Sequence, residues 1–70
     1  MDEKLILYTT NGCDICDRAR ADLVAEAIEF EERNVMENKA WFDEVLKHTI
    51  FVPMVVRGDQ IEIGWRGAVG

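Results

Sequence analysis

The chain has 70 residues, with 14 Asp+Glu against 8 Lys+Arg, a formal net charge of -6 and 49% hydrophobic residues. A folded chain of this length buries roughly 60% of the surface its unfolded form exposes, which allows one small domain over residues 1–70, one modest core and no large substrate pocket. The acidic balance, without any basic run, argues against nucleic acid or an anionic membrane as partner, because both attractions rest on Lys and Arg.

No apolar stretch approaches the ~18 residues of a membrane span. Met1-Asp2-Glu3-Lys4 lacks the basic-then-apolar order of a secretion signal. The expected location is therefore cytoplasmic. A permanent structural disulfide is unusual there, so the two cysteines point to redox chemistry or metal binding.

Residues 4–8 form a short apolar run closed by Thr9-Thr10-Asn11-Gly12, which predicts a central strand buried on both faces and then a turn. From Cys13 to about Ala27 there is no Pro or Gly, and Ile15, Ala19 and Leu23 recur every four residues, predicting a helix with one apolar stripe. Asp14 with Arg18, and Asp17 with Arg20, have the acid-first order that supports such a helix. Residues 28–33 alternate so that Ile28 and Phe30 would face the core from a strand near a sheet edge.

Asn34 with Glu37 matches a capping box, so a second helix is expected through Met36, Ala40, Trp41, Val45 and Leu46 to about His48. Pro53 divides Ile50-Phe51-Val52 from Met54-Val55-Val56, predicting an extended approach and then a strand. Gly58-Asp59 reads as a two-residue hairpin turn leading into Gln60-Ile61-Glu62-Ile63. The order β-α-β-α-β-β, with a right-handed first crossover and a terminal hairpin, gives an α/β fold with a mixed sheet of about four strands.

Cys13-Asp14-Ile15-Cys16 follows a buried strand and a glycine turn and opens a helix. There Cys13 meets free backbone N–H groups and the positive end of the helix dipole, which stabilise a thiolate. Cys13 is the expected exposed nucleophile. Cys16, nearly one turn on and beside the apolar stripe, is the expected buried thiol that resolves a mixed disulfide.

His48 would complement a helix C-terminus, Trp41 and Phe42 would serve core and flank, and the glutamates at 29, 31, 32 and 37 would form a solvated face. Between residues 26 and 44, seven acids face only Arg33 and Lys39, a net of -5 that would favour a basic partner protein. Zinc needs about four ligands and only His48 adds a nitrogen donor, so a metal or cluster would have to be shared across a dimer; that alternative stays open.

With these elements in order, nearly the whole chain resembles glutaredoxins and related small redoxins of the thioredoxin fold. The resemblance is carried by Leu7-Tyr8-Thr9-Thr10-Asn11-Gly12-Cys13-Asp14-Ile15-Cys16, by Phe51-Val52-Pro53 at the family's Thr-Val-Pro segment, and by Ile63-Gly64-Trp65-Arg66 at its glycine turn. It implies a dithiol-disulfide oxidoreductase with no bound cofactor beyond the Cys13 and Cys16 disulfide, a cis Pro53, and a Val52 backbone that pairs with substrate. Thr10, Gly12, Asp14, Ile15, Val52, Pro53, Gly64, Trp65 and Arg66 would then surround the substrate.

Glutathione-using members carry a basic residue where this chain has Thr10, Pro-Tyr where it has Asp14-Ile15, and Gly-Gly-x-Asp-Asp where it has Gly64-Trp65-Arg66-Gly67. The groups that would hold glutathione are mostly missing. Gly64-Trp65-Arg66 is similar to the Gly-Phe-Arg segment of redoxins that serve ribonucleotide reductase and are recycled by thioredoxin reductase. The implied partners are a protein disulfide and a reductase, with electrons from thioredoxin reductase and NADPH or from glutathione.

Family members also end in a helix that this sequence lacks. A sheet face would be left partly bare, predicting marginal stability, self-association or docking on a partner, with a noncatalytic partner-docking module as the alternative function; the expected state is a monomer or weak homodimer. Asp14 and Asp17 oppose a negative sulfur, which predicts a less acidic Cys13 and a more reducing couple than a neutral intervening pair would give. Titration of thiolate absorbance is expected to give a lower Cys13 pKa in Asp14→Pro and in Asp17→Asn than in wild type.

Overall fold

The computed structural model describes residues 4–68. Six elements follow in order: β1 (Leu5–Thr9), α1 (Asp14–Ala25), β2 (Phe30–Asn34), α2 (Lys39–Leu46), β3 (Met54–Arg57) and β4 (Gln60–Ile63). The strands form one mixed sheet in the order β2-β1-β3-β4. β1 runs parallel to β2, from Leu5 opposite Phe30 to Thr9 opposite Asn34, and antiparallel to β3, with Tyr8 opposite Met54. β3 and β4 close through Gly58 and Asp59, with Arg57 opposite Gln60. Gly58 takes left-handed backbone (φ 58), as the first position of a primed hairpin turn requires.

Period-two alternation along β1 divides the core. Leu5 and Leu7 pack with Ala19 and Leu23 of α1, Val55 and Trp65 on one face. Tyr8 and Met54 pack with Val45 of α2 and Val35 on the other, with Ile6 and Trp41 against them. Each helix thus covers its own face of the sheet.

Two helix boundaries and one ion pair differ from the sequence expectation. The second helix begins at Lys39, with Asn38 as its N-cap accepting from the Ala40 amide (2.9 Å), not at Asn34. Asn34 ends β2 and its side chain accepts from the Met36 amide (2.9 Å), while the Glu37 amide donates to the Asn34 carbonyl (3.0 Å). That local turn competes with helix, so Met36 is 63% exposed and not core. At the end of α1, Ala27 turns left-handed (φ 58) and the Ile28 amide reaches back to the Leu23 carbonyl (3.0 Å), the Schellman pattern that usually places glycine at this point. Of the two expected helix ion pairs, Asp17 with Arg20 forms (2.8 Å), and no bond joins Asp14 to Arg18.

The face expected to be bare is partly covered. After β4 the chain turns back through a bridge between Trp65 and Ala68, and Trp65, 8% exposed, packs on the α1 side of the sheet. No helix among the described residues is long and apolar enough to cross a membrane.

Leu23 is fully buried, so Leu23→Ala is expected to lower the unfolding free energy by about 2–5 kcal/mol. Ala27→Gly, which relieves the left-handed alanine, is expected to raise it by up to about 1 kcal/mol. Urea unfolding midpoints measure both.

Candidate redox site

The site begins where β1 stops. Thr10 and Asn11 leave the sheet and Gly12 takes left-handed backbone (φ 68), turning the chain so that Cys13, still extended, becomes the N-cap of α1. Its Sγ accepts from the Cys16 amide (3.1 Å), and its carbonyl accepts from the Asp17 amide (3.1 Å), the first bond of the helix. The sulfur thus fills the capping role that an oxygen usually takes, on an otherwise unpartnered helix donor. Cys13 and Cys16 form a disulfide with a Cα–Cα separation of 5.2 Å, within the ordinary range.

In this oxidised state Cys13 is 7% exposed and Cys16 0%. The first cysteine is therefore less open than its position at a helix entry suggests. It remains the more accessible of the two.

The surrounding expected residues separate into two groups. Asp14 is exposed, Gly12 is exposed in the turn, and Ile15 is half-buried against the α1-side core. The bond between Val52 and Pro53 is cis, and Pro53 precedes Met54, which pairs with Tyr8, so it lies beside Thr9 at the cysteine end of the sheet. The Gly64 amide donates to the Pro53 carbonyl (2.7 Å). Trp65 and Arg66 then depart from this end. The indole Nε1 donates to Asp22 (2.8 Å), and the Arg66 guanidinium bonds Glu26 and approaches Asp22 (3.5 Å). Asp22 is nine residues past Cys13, about 13 Å along the helix. These two side chains clamp the terminal turn to α1 and are not gathered around the disulfide.

Two features were not legible as site features in the sequence. Thr10 and Val52 open an apolar groove of about 170 Å³, walled by Met36, Phe42, Leu46 and Ile50, with no charged side chain in its lining. Met36 and Leu46 fit a helical core pattern in the sequence, yet both are exposed: Met36 lies in the Asn34 turn before α2, and Leu46 ends an eight-residue helix that buries only Val45. The run Ile50-Phe51-Val52, apolar but not part of a strand, was the available signal.

The second feature is Glu32, expected on a solvated face and found half-buried between β2 and α1. It accepts from Arg20 twice (2.7 and 2.6 Å) and from the fully buried Thr9 hydroxyl (2.9 Å), and Arg20 also donates to Asp17 (2.8 Å). The Arg20 bond, aided by Thr9, holds the Glu32 carboxyl below its usual range against the opposing effect of burial. Bonds to Glu32 and then Asp17 raise Arg20 above the usual guanidinium value.

His48 lies exposed just beyond α2, beside a hollow lined by Trp41 and Glu44 on the opposite face of the sheet from α1. Among the described residues no group of three or more His, Cys, Asp and Glu is arranged to hold a metal ion.

A thioredoxin-like sheet with a cysteine pair capping its first helix defines a class of redox protein, and comparison with known proteins narrows it. The family model described as Glutaredoxin-like domain (DUF836) matches residues 4–68, and the chain belongs to that glutaredoxin-like family. The glutaredoxin-like protein NrdH-redoxin from Escherichia coli, described as having a thioredoxin-like activity profile, superposes with a TM-score of 0.79 at 25% identity, over 90% of this chain and 84% of that one. A glutaredoxin from Archaeoglobus fulgidus gives 0.75 at 23% identity, over 90% and 76%, a likeness of fold. No curated protein matches the sequence.

Because the folded Glu32 carboxyl is more acidic than an unfolded one near about 4.3, its stabilisation is full above that value and is lost as pH falls through the lower folded value. Wild type is therefore expected to exceed Glu32→Gln in urea midpoint at pH 7, with the gap closing toward pH 3. A gap unchanged by acid would remove the carboxylate as its source.

Proposed function

We propose that this protein is a dithiol-disulfide electron carrier that reduces protein disulfides. The observation that carries the reading is the disulfide at the N-terminus of α1, with Cys13 capping the helix through its sulfur and Cys16 fully enclosed behind it. In the reduced protein the Cys13 thiolate attacks one sulfur of the substrate disulfide, forming a mixed disulfide and releasing the first substrate thiolate. Cys16 loses its proton and attacks the Cys13 sulfur, expelling the second substrate thiolate and regenerating the internal disulfide. Two electrons have moved to the substrate, and a dithiol reductase or two molecules of glutathione must return them.

The groove from Thr10 and Val52 supports a protein substrate over glutathione. A peptide carboxylate entering it would meet no counter-charge, whereas an apolar side chain flanking a substrate cysteine would be desolvated against Met36, Phe42 and Ile50. The activity profile described for the Escherichia coli NrdH-redoxin supports thioredoxin reductase and NADPH as the electron source.

Insulin reduction, driven by thioredoxin reductase with NADPH or by glutathione with its reductase, tests this directly. Turnover is expected with the first system, to vanish in Cys13→Ser, and to stop at a trapped mixed disulfide in Cys16→Ser. Phe42→Glu is expected to lower kcat/KM for insulin about tenfold, while a small aromatic disulfide is still reduced at nearly the wild-type rate. Turnover with glutathione alone would overturn the choice of reductant, and turnover retained in Cys13→Ser would overturn the mechanism.

A further inference from the structure

Arg20 belongs to the same helical stripe as the cysteines, four residues after Cys16 and seven after Cys13. It binds three oxygens at once: both of Glu32 on β2 (2.7 and 2.6 Å) and one of Asp17 (2.8 Å), the residue that follows Cys16. The Thr9 hydroxyl, fully enclosed at the end of β1, fixes the far side of Glu32 (2.9 Å). An ion pair needed only to attach α1 to the edge strand would not require the carboxylate on the first turn of the cysteine helix. Here that carboxylate is joined to the same guanidinium.

We propose that Arg20 is a positioning residue that sets the acidity of Cys13 by neutralising Asp17, and that Glu32, anchored by Thr9, limits how much of the Arg20 charge reaches the sulfurs. The three charged groups carry a net single negative charge. Losing Arg20 leaves two negative charges behind the cysteines, and losing the Glu32 charge leaves none. A thiolate is disfavoured by the first change and favoured by the second.

The other charged groups near Cys13 are constant between these variants. Asp14 and Arg18 are exposed on α1, and Glu37 is exposed beyond β2. Residues 9–12 and 49–53 bring no charge to this end of the sheet. On β2, Arg33 pairs with Glu31 and Tyr8, on the face opposite Glu32, and Arg66 is held at Asp22 and Glu26.

At two helical turns, about 10 Å, one unit of charge is expected to shift the thiol by about half a pKa unit at low salt. The shift should fade near 1 M salt, where the Debye length is about 3 Å.

The proposal gives a reason for tuning Cys13 only within the oxidoreductase reading, but the acidity is measured on the reduced protein without substrate, so either can fail alone. Thiolate absorbance would be titrated in the full chain at low and high salt. Arg20→Met is expected to raise the Cys13 pKa and Glu32→Gln to lower it, by about half a unit each at low salt, with both shifts collapsing at high salt. Arg20→Lys, which keeps the charge, should stay within about 0.2 unit of wild type.

A purely structural clamp is weakened in both variants, since Arg20→Met removes all three Arg20 bonds and Glu32→Gln removes the charged partner of two of them, and it would move both in one direction or neither. Either result in folded protein overturns the proposal. If Arg20→Met does not fold, Glu32→Gln and Arg20→Lys decide it: a Glu32→Gln value at or above wild type overturns it.

Discussion

The bond from the Cys16 amide to the Cys13 sulfur performs two tasks with one atom. A helix leaves its first amides without partners, and a cap must satisfy them. In this chain the capping atom is also the sulfur that would carry the chemistry, so where α1 starts and where the site lies are the same question. The left-handed Gly12 that turns the chain, the buried Thr9 that ends β1 and the enclosed Cys16 all serve to place that sulfur.

From that junction the rest of the fold follows by coverage. β1 lies inside the sheet and exposes two apolar faces, and a short chain has few elements with which to cover them. α1 spends Ala19 and Leu23 on one face, helped by Trp65, whose indole is tied to Asp22. α2, only eight residues long, spends Val45 and part of Trp41 on the other. What α2 cannot bury, Phe42 and Leu46, remains at the surface with Met36 and Ile50. The groove beside Thr10 and Val52 is thus the same shortage of length seen from outside.

Much of this was readable from residue order. The apolar run before Asn11-Gly12, the cysteine spacing at a helix start and the Gly58-Asp59 hairpin each have a local cause, and each stands where expected. Asn34 shows where such reading fails. It and Asn38 are both capable N-caps, and only the pairing of Asn34 with Thr9 across the sheet assigns the first to strand and the second to helix. Glu32 fails for the same reason. In an acidic segment it looks like another solvated carboxylate until the parallel register sets it against Leu7 and under Arg20.

Element order, the mixed sheet and a cysteine pair at the mouth of the first helix are all legible in the order of residues. Those depend on turn residues, periodicity and spacings of three or four, which act within a few positions of the chain. Only the packed fold brings Glu32 to Thr9 and to the Arg20 that also holds Asp17, sets Trp65 and Arg66 on the far half of α1, and opens an uncharged groove beside Thr10 and Val52. Each of these joins residues far apart in the chain, and their meeting depends on sheet register, which no local pattern encodes.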